Sequence, residues 1–328
     1  MKKLLMSAAI ATAVASALSA SVTLSRAEDY PTRPITMIVP FPPGGATDTL
    51  ARFLGQHMHD LLGQPVVVEN VAGATGRIAV QKAVSSAPDG YTLSIGTSTT
   101  HMLTGGLFKL RYDLLTDLDP IVLIGSEPLL LAGKKDLPAK NLKEFIAYLK
   151  ANPGKANCGI AGIGATGHVA GLSFQKETGT KYVFVPYRGN GPALKDLVGG
   201  QIDFMLEPAS NFIGQVKVGA VKPYAVTSKA RTTSMPDVPT MDEAGLKGFY
   251  ASLWYGLWVP KGTPKAIETK LNDVMVKVLA MPAVQAHFKQ LGIQMNTAEQ
   301  TPEYLRAFQK AEAARWWPLI KASNIKVQ

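Results

Sequence analysis

The chain predicts an α/β fold of doubly wound, parallel sheets arranged in two lobes. Three observations carry that prediction. Apolar, β-branched runs alternate with helical patterns along most of the 328 residues. Three of those runs end in glycine-rich loops that restart as helices. The chain passes from one αβ set to another near residues 121–131 and returns near 227–254, with no low-complexity linker at either place. Two crossings with little flexible sequence describe two lobes joined by a hinge, with a cleft between them. The expected division is residues 28–125 plus 252–328 for one lobe and 126–251 for the other.

The elements follow in order. Residues 35–40 are the first strand, and a helix covers 48–62. A strand at 66–69 precedes a helix at 77–85. Pro88-Asp89-Gly90 is a turn before the strand at 91–97. Residues 121–125 and 129–133 read as two apolar strands. Asn141 with Glu144 forms a capping pattern that opens a helix ending near Asn152-Pro153-Gly154. A strand ending at Ile160 leads through the third glycine loop into a helix that stops at Gly179. Then come a strand at 182–185, a helix carrying Pro192 early and stopping at Gly199-Gly200, a strand at 202–206, a helix at 209–218 and a strand at 221–227. Residues 250–259 are apolar and aromatic. Thr263-Pro264 and Thr301-Pro302 each read as an N-cap followed by proline at the first helical position. They open two long helices, the second disturbed at Pro318.

The first 27 residues read as a secretory signal peptide. Lys2 and Lys3 precede an uncharged, Ala-, Leu- and Val-rich stretch, and Ser25-Arg26-Ala27 places small residues where a signal peptidase reads. Cuts after Ala17 or Ala20 are alternatives, as is a membrane anchor, for which the stretch is weakly apolar. The expected mature chain starts at Glu28 and is exported. Formal charge is +10, and removing Lys2, Lys3 and Arg26 leaves +7. The remaining basic residues are scattered, with no basic stripe carrying interleaved aromatics, so no nucleic-acid partner is expected. Cys158 is the only cysteine, so the exported chain has no internal disulfide, and this residue reads as a small buried apolar group.

The glycine loops carry the chemistry. They are Phe41-Pro42-Pro43-Gly44-Gly45-Ala46-Thr47-Asp48, Val71-Ala72-Gly73-Ala74-Thr75-Gly76 and Ala161-Gly162-Ile163-Gly164-Ala165-Thr166-Gly167-His168. Glycine lets backbone approach a ligand, and a fresh helix start presents unpaired N–H groups with partial positive charge. Each such turn is an anion seat at the carboxyl end of a strand.

An ordered set of motifs then resembles a known family. The set begins with Pro40-Phe41-Pro42-Pro43-Gly44-Gly45, Asp48 and Arg52. It continues through Glu69-Asn70-Val71-Ala72-Gly73-Ala74, Pro88-Asp89-Gly90-Tyr91, Gly162 to His168, and Val185-Pro186-Tyr187-Arg188-Gly189. It ends with Pro236-Asp237-Val238-Pro239-Thr240 and Trp254-Tyr255-Gly256. The chain is similar to the Bug-type receptors, the extracytoplasmic solute-binding proteins of tripartite tricarboxylate transporters. The resemblance implies a two-lobed, type II-like periplasmic binding protein that closes on a small organic carboxylate and presents it to membrane permease subunits. It implies no cofactor, no metal and no catalytic residue, and the chain is expected to act as a monomer. It carries ligand contacts onto Phe41, Gly44, Gly45 and Asp48, onto Gly73 and Ala74, and onto Gly164, Ala165, Thr166 and His168, with Tyr187 opposite.

Two departures bear on the ligand. Many relatives have Phe-Asp where this chain has Leu206-Glu207-Pro208; Glu207 either faces a polar group of the ligand or caps a helix start. The segment after His101, usually containing Asn-Pro, is Met102-Leu103-Thr104-Gly105-Gly106 here.

Enzyme functions fit less well, while a sensory role fits the sequence as well as transport. A sensory receptor docking on a signalling ectodomain would use the same pocket. An exported nucleotide-binding oxidoreductase would need an acid near residues 185–188 to accompany Gly162-x-Gly164-x-x-Gly167, and none is there. No Gly-x-Ser-x-Gly elbow occurs. His57 and His59 fall on different helix faces and read as surface residues rather than a metal pair. Asp48 reads as a loop-fixing or capping acid, and His168 as a packing or hydrogen-bonding group. Trp254, Tyr255 and Trp258 read as core, with Trp254 or Tyr255 as alternative cleft-lining rings. Trp316 and Trp317 read as packing residues of the last helix.

Overall fold

The architecture is that of a computed structural model describing residues 30–295, 299–323 and 325. The signal-peptide reading of residues 1–27 lies outside the described residues.

Strand β1 (Ile35–Val39) pairs in parallel with β2 (Val66–Asn70) and β3 (Thr92–Thr97). Helices α1 (Ala46–Leu62) and α2 (Arg77–Val84) make the crossovers. After β3, a π-turn over Thr99–Leu103 runs into the short α3 (Thr104–Leu107). A second parallel set is β5 (Asn157–Ile160), β6 (Val183–Pro186) and β7 (Phe204–Pro208), with α5 (Thr166–Thr178) and α6 (Asn190–Val198) as crossovers. Ahead of that set lies α4 (Leu142–Ala151).

Two long antiparallel strands join the sets. β4 (Leu118–Lys134) pairs with β9 (Ser252–Pro260) through Pro128, then from Leu129 onward with β7 and with β8 (Val221–Val226). The sheet order is β2-β1-β3-β9-β4-β7-β5-β6, with β8 also on β4. The sheets are therefore mixed rather than wholly parallel. The two expected strands at 121–125 and 129–133 are one 17-residue strand. Gly125-Ser126-Glu127-Pro128 interrupts the apolar pattern but not the pairing, because β9 extends across it.

Three further differences are local. The helix expected at 209–218 is a 3₁₀ turn (Ala209–Phe212) followed by α7 (Ile213–Lys217). Thr263 turns its hydroxyl to the Pro260 carbonyl, and α8 (Lys265–Ala280) starts later, without a side-chain cap. Pro282 then opens a separate helix, α9 (Pro282–Leu291), that the reading of two C-terminal helices missed. By contrast, Asn141 accepts from Glu144 N at 2.9 Å and Thr301 accepts from Tyr304 N at 3.1 Å, as the capping patterns predict. The last helix, α10 (Pro302–Ala322), runs through Pro318.

Alternation along the strands explains the core. Ile35, Met37 and Val39 pack with Leu50, Leu54, Leu271 and Met275 on one face, while Ile38 joins the cluster on the other. β1 is buried on both faces, the usual state of a parallel strand flanked by helices. That other cluster runs across both sets: Leu129, Phe145, Phe174 and Phe204 share it with Trp254, Trp258, Leu305 and Trp316. Leu130, Met205 and Phe212 form a third cluster. Each fully buried Leu or Phe contributes about 2 kcal/mol. No described helix is long and apolar enough to cross a membrane.

Candidate functional site

The three glycine loops follow β1, β2 and β5, and the segment after β3 touches both the second and the third. The first loop is fastened by Asp48. Its carboxylate accepts from Gly44 N at 2.8 Å, Arg52 Nε at 3.1 Å and Asn70 Nδ2 at 2.8 Å. Asn70 also donates to the Phe41 carbonyl at 3.0 Å, so one side chain from β2 ties both ends of the loop. The Arg52 hydrogen bond leads in holding the Asp48 carboxyl down to about 2, so it is ionised at any working pH. Asp48 is the loop-fixing residue the sequence suggested. Gly44 lies at φ +83°, and Gly45 is the N-cap of α1 with no side-chain cap bond.

The second loop is strained. Ala74 and Thr75 both have positive φ, at 46° and 57°, between Gly73 at 123° and Gly76 at 83°. Such positions cost about 1–3 kcal/mol each and persist where the surroundings impose them. Gly76 sits where a Cβ would strike Thr100 and Pro40, so this loop closes on the first loop and on the segment after β3. Gly73 and Ala74 are exposed.

The third loop is held by two buried groups. His168 Nδ1 accepts from Gly164 N at 3.0 Å, and Glu207 Oε1 accepts from Ala161 N at 3.0 Å. Burial pushes His168 down to about 4 and Glu207 up to about 8, so both are neutral at pH 7. Glu207 lies against Gly167, where a Cβ would collide with its carboxyl. Its place is beneath the loop and the first turn of α5. Ala165 is the N-cap of α5, again without a side-chain cap bond. The Tyr187 hydroxyl donates to Asp196 Oδ2 at 2.6 Å, toward α6.

Direct bonds join the two strand sets here. Thr166 Oγ1 lies 2.9 Å from Ser98 Oγ and 3.1 Å from Thr99 Oγ1. A Cβ on Gly164 would collide with Leu107 of α3. A small void beside these contacts is lined by Ser98, Thr166, Val169, Ser252, Glu312 and Trp316. The sequence reading missed Ser98 and Thr99. Their signal was a run of four hydroxyl residues, Thr97 to Thr100, at a strand's carboxyl end.

The C-terminal helix supports that segment. Gln309 donates to the carbonyls of His101 and Leu114, at 2.6 and 3.0 Å, and Trp317 Nε1 donates to the Met102 carbonyl at 2.9 Å. Gly105 and Gly106 leave room for the Trp317 ring. His101 is held between Ser94 and Thr100, each 2.9 Å from a ring nitrogen, and stacks on Trp258 at 4.2 Å. Burial lowers its pKa to about 3, so it packs as a neutral ring. Cys158, Trp254 and Tyr255 are buried. Among the described residues, no group of three or more His, Cys, Asp or Glu side chains could hold a metal.

Two αβ sets joined by two crossing strands, meeting through loops at their strand ends, define a two-lobed periplasmic binding protein. The family model of the tripartite tricarboxylate transporter family receptor matches residues 50–325. The chain belongs to that family. It is 38% identical to BugT of Bordetella pertussis over 304 residues, 92% of this chain and 93% of the relative. Among solved structures, the periplasmic binding protein BugD is 40% identical with a TM-score of 0.81, covering 91% of this chain and all of that one. MatC of Rhodopseudomonas palustris, solved with bound malate, is 36% identical with a TM-score of 0.80 over 89% of this chain and 100% of its own. An R. palustris protein solved with adipate is 32% identical, with a TM-score of 0.82 over 89% of this chain and 98% of that one.

Proposed function

We propose that the chain is exported to the periplasm after cleavage near Ala27 and captures a small organic carboxylate between its lobes. The loaded, closed form then delivers the ligand to the permease subunits of a tripartite transporter. The lobes are residues 28–125 plus 252–328 and residues 126–251. The ligand carboxylates are held by the backbone N–H groups at the starts of α1 and α5, beyond Gly44, Gly164 and Ala165, whose own N–H groups go to Asp48, His168 and Gly162; Gly73 and Ala74 close one side. Phe41 supplies an apolar wall. No bond is made or broken: the ligand bridges the lobes and stabilises the closed form.

One observation carries this reading. Two helices from different lobes, α1 and α5, start at caps without side-chain bonds, and the second start touches the first lobe through Thr166. Unfilled helix starts on two sides of a closing cleft suit an anion. The carboxylates bound by MatC and by the adipate-bound relative support the same class.

Thermal unfolding against mono-, di- and tricarboxylates, amino acids and aromatic acids tests it, with NAD and NADP as controls. The protein is first unfolded and refolded to remove co-purified ligand. A carboxylate at 1,000 times its Kd adds about 4 kcal/mol, an easily read shift in Tm. A shift with nucleotide alone would overturn the proposal.

A further inference from the structure

A buried acid at the lobe crossing is unused by the binding loops. Glu127 lies on β4 one residue before the strand changes partners from β9 to β7. It is 2% exposed. Its Oε1 accepts from the Tyr255 hydroxyl of β9 at 3.0 Å, while Oε2 has no hydrogen-bond partner. Ser210, in the turn after β7, approaches the same carboxyl. Thr97 at the end of β3 is paired directly with Tyr255, so the two side chains share a face of the sheet, and Thr97 Oγ1 is also buried without a partner. Burial pushes the Glu127 pKa up.

An unpaired buried carboxyl oxygen is costly, and its persistence calls for a partner. The cluster joins ends of strands from both lobes, where ligands of such sheets lie. The groups at Glu127 are hydroxyls, Tyr255 from β9 and Ser210 after β7, with Thr97 of β3 beside Tyr255. None is a cation that would allow a ligand carboxylate beside an acid. A ligand hydroxyl can donate to ionised Glu127 and can donate to or accept from the protonated acid, and an ammonium can donate to it and offset its charge.

We propose that Glu127 and Thr97, with Tyr255 and Ser210, form a second polar subsite that selects carboxylates bearing a hydrogen-bond-donating substituent, a hydroxyl or an ammonium, over plain carboxylates of the same length. This rests on the carboxylate-receptor reading. A site built to bond a ligand hydroxyl rejects the analogue that lacks it, because the buried partner is left unpaired.

The test is calorimetric titration of refolded wild type and Glu127→Leu with matched sets: succinate, malate and aspartate; glutarate, 2-hydroxyglutarate and glutamate; propionate, lactate and alanine; adipate with its hydroxy and amino counterparts. Leucine keeps the volume without a polar group, and circular dichroism checks that the variant folds. Wild type is expected to bind a substituted member at least tenfold tighter than its plain counterpart, and Glu127→Leu to bring the two within threefold by weakening the substituted one. Glu127→Gln separates the substituents: it keeps an acceptor for a hydroxyl but loses preference for an ammonium. Wild type that binds plain acids as tightly as substituted ones, or an unchanged ranking in Glu127→Leu, would overturn the subsite and leave the receptor reading intact. Wild type that binds no carboxylate would overturn both.

Discussion

The first glycine loop and the third are held by different fastenings. The Gly44-Gly45 loop is tied by an ionised Asp48, engaged by Gly44, Arg52 and Asn70. The Gly164 loop is tied by two neutral titratable groups, His168 and Glu207. The difference follows from where each sits. Asp48 is beside a half-exposed arginine, so its charge is matched. His168 and Glu207 are enclosed by α5 and β7 with no opposite charge, so burial drives both to their uncharged forms. One half of the proposed anion seat is therefore fastened by a group insensitive to pH, and the other is not. The third loop is also the one that touches the first strand set, through Thr166 and Gly164.

Five variants break or sharpen that contrast, taken from the largest expected loss of affinity to the smallest. Gly164→Val should reduce carboxylate binding more than 100-fold while circular dichroism stays native. Residue 164 sits at φ +82°, and its new side chain would press on Leu107 and prop the lobes apart. Near-normal affinity by calorimetry would remove this loop from the closing surface. Asp48→Ala should weaken binding about tenfold and lower stability by about 2 kcal/mol, read by urea unfolding. The loss comes from unsatisfied Gly44 and Asn70 donors, since the exposed Arg52 partner adds little.

Thr166→Val should cost a few-fold in affinity, by removing a hydroxyl that joins the lobes through Ser98 and Thr99 at a net value of about 1 kcal/mol. Ser98→Ala should cost less, since Thr99 remains. Glu207→Gln should leave affinity within twofold at pH 6 but change the pH profile of stability. For Glu207, raised from 4.5 to about 8, the unfolded chain releases its proton first, so stability falls as pH rises from about 4.5 to 8. For His168, lowered from 6.5 to about 4, the unfolded chain takes its proton first, so stability falls as pH drops through that window. The two oppose each other below pH 6.5, and Glu207 acts alone between 6.5 and 8. Unfolding midpoints of Glu207→Gln should therefore decline less than wild type across that upper interval. Parallel profiles would show that Glu207 is not the buried acid that matters.

Much of this was legible in the sequence, for local reasons. The glycine loops, the Asn141–Glu144 box and the Thr301 cap depend on neighbours a few residues apart, and each formed. Asp48 was legible as a loop fastener because its position in the first helical turn allows little else. Thr263 misled because the same hydroxyl could also reach Pro260. The long β4 was invisible because Ser126 to Pro128 breaks the apolar run, and only the antiparallel β9 shows why the strand continues. Ser98, Thr99 and Glu127 were missed because their partners, Thr166, Tyr255 and Ser210, lie 67 or more residues away. Glu207 was left between two roles, and only its bond to Ala161 N places it beneath the loop.

The most direct measurement is a crystal structure with the carboxylate that raises Tm most. The account predicts ligand carboxylate oxygens within about 3 Å of backbone nitrogens at the starts of both α1 and α5, with the lobes closed on them. A carboxylate held by one lobe alone, or seated away from the glycine loops, would contradict it.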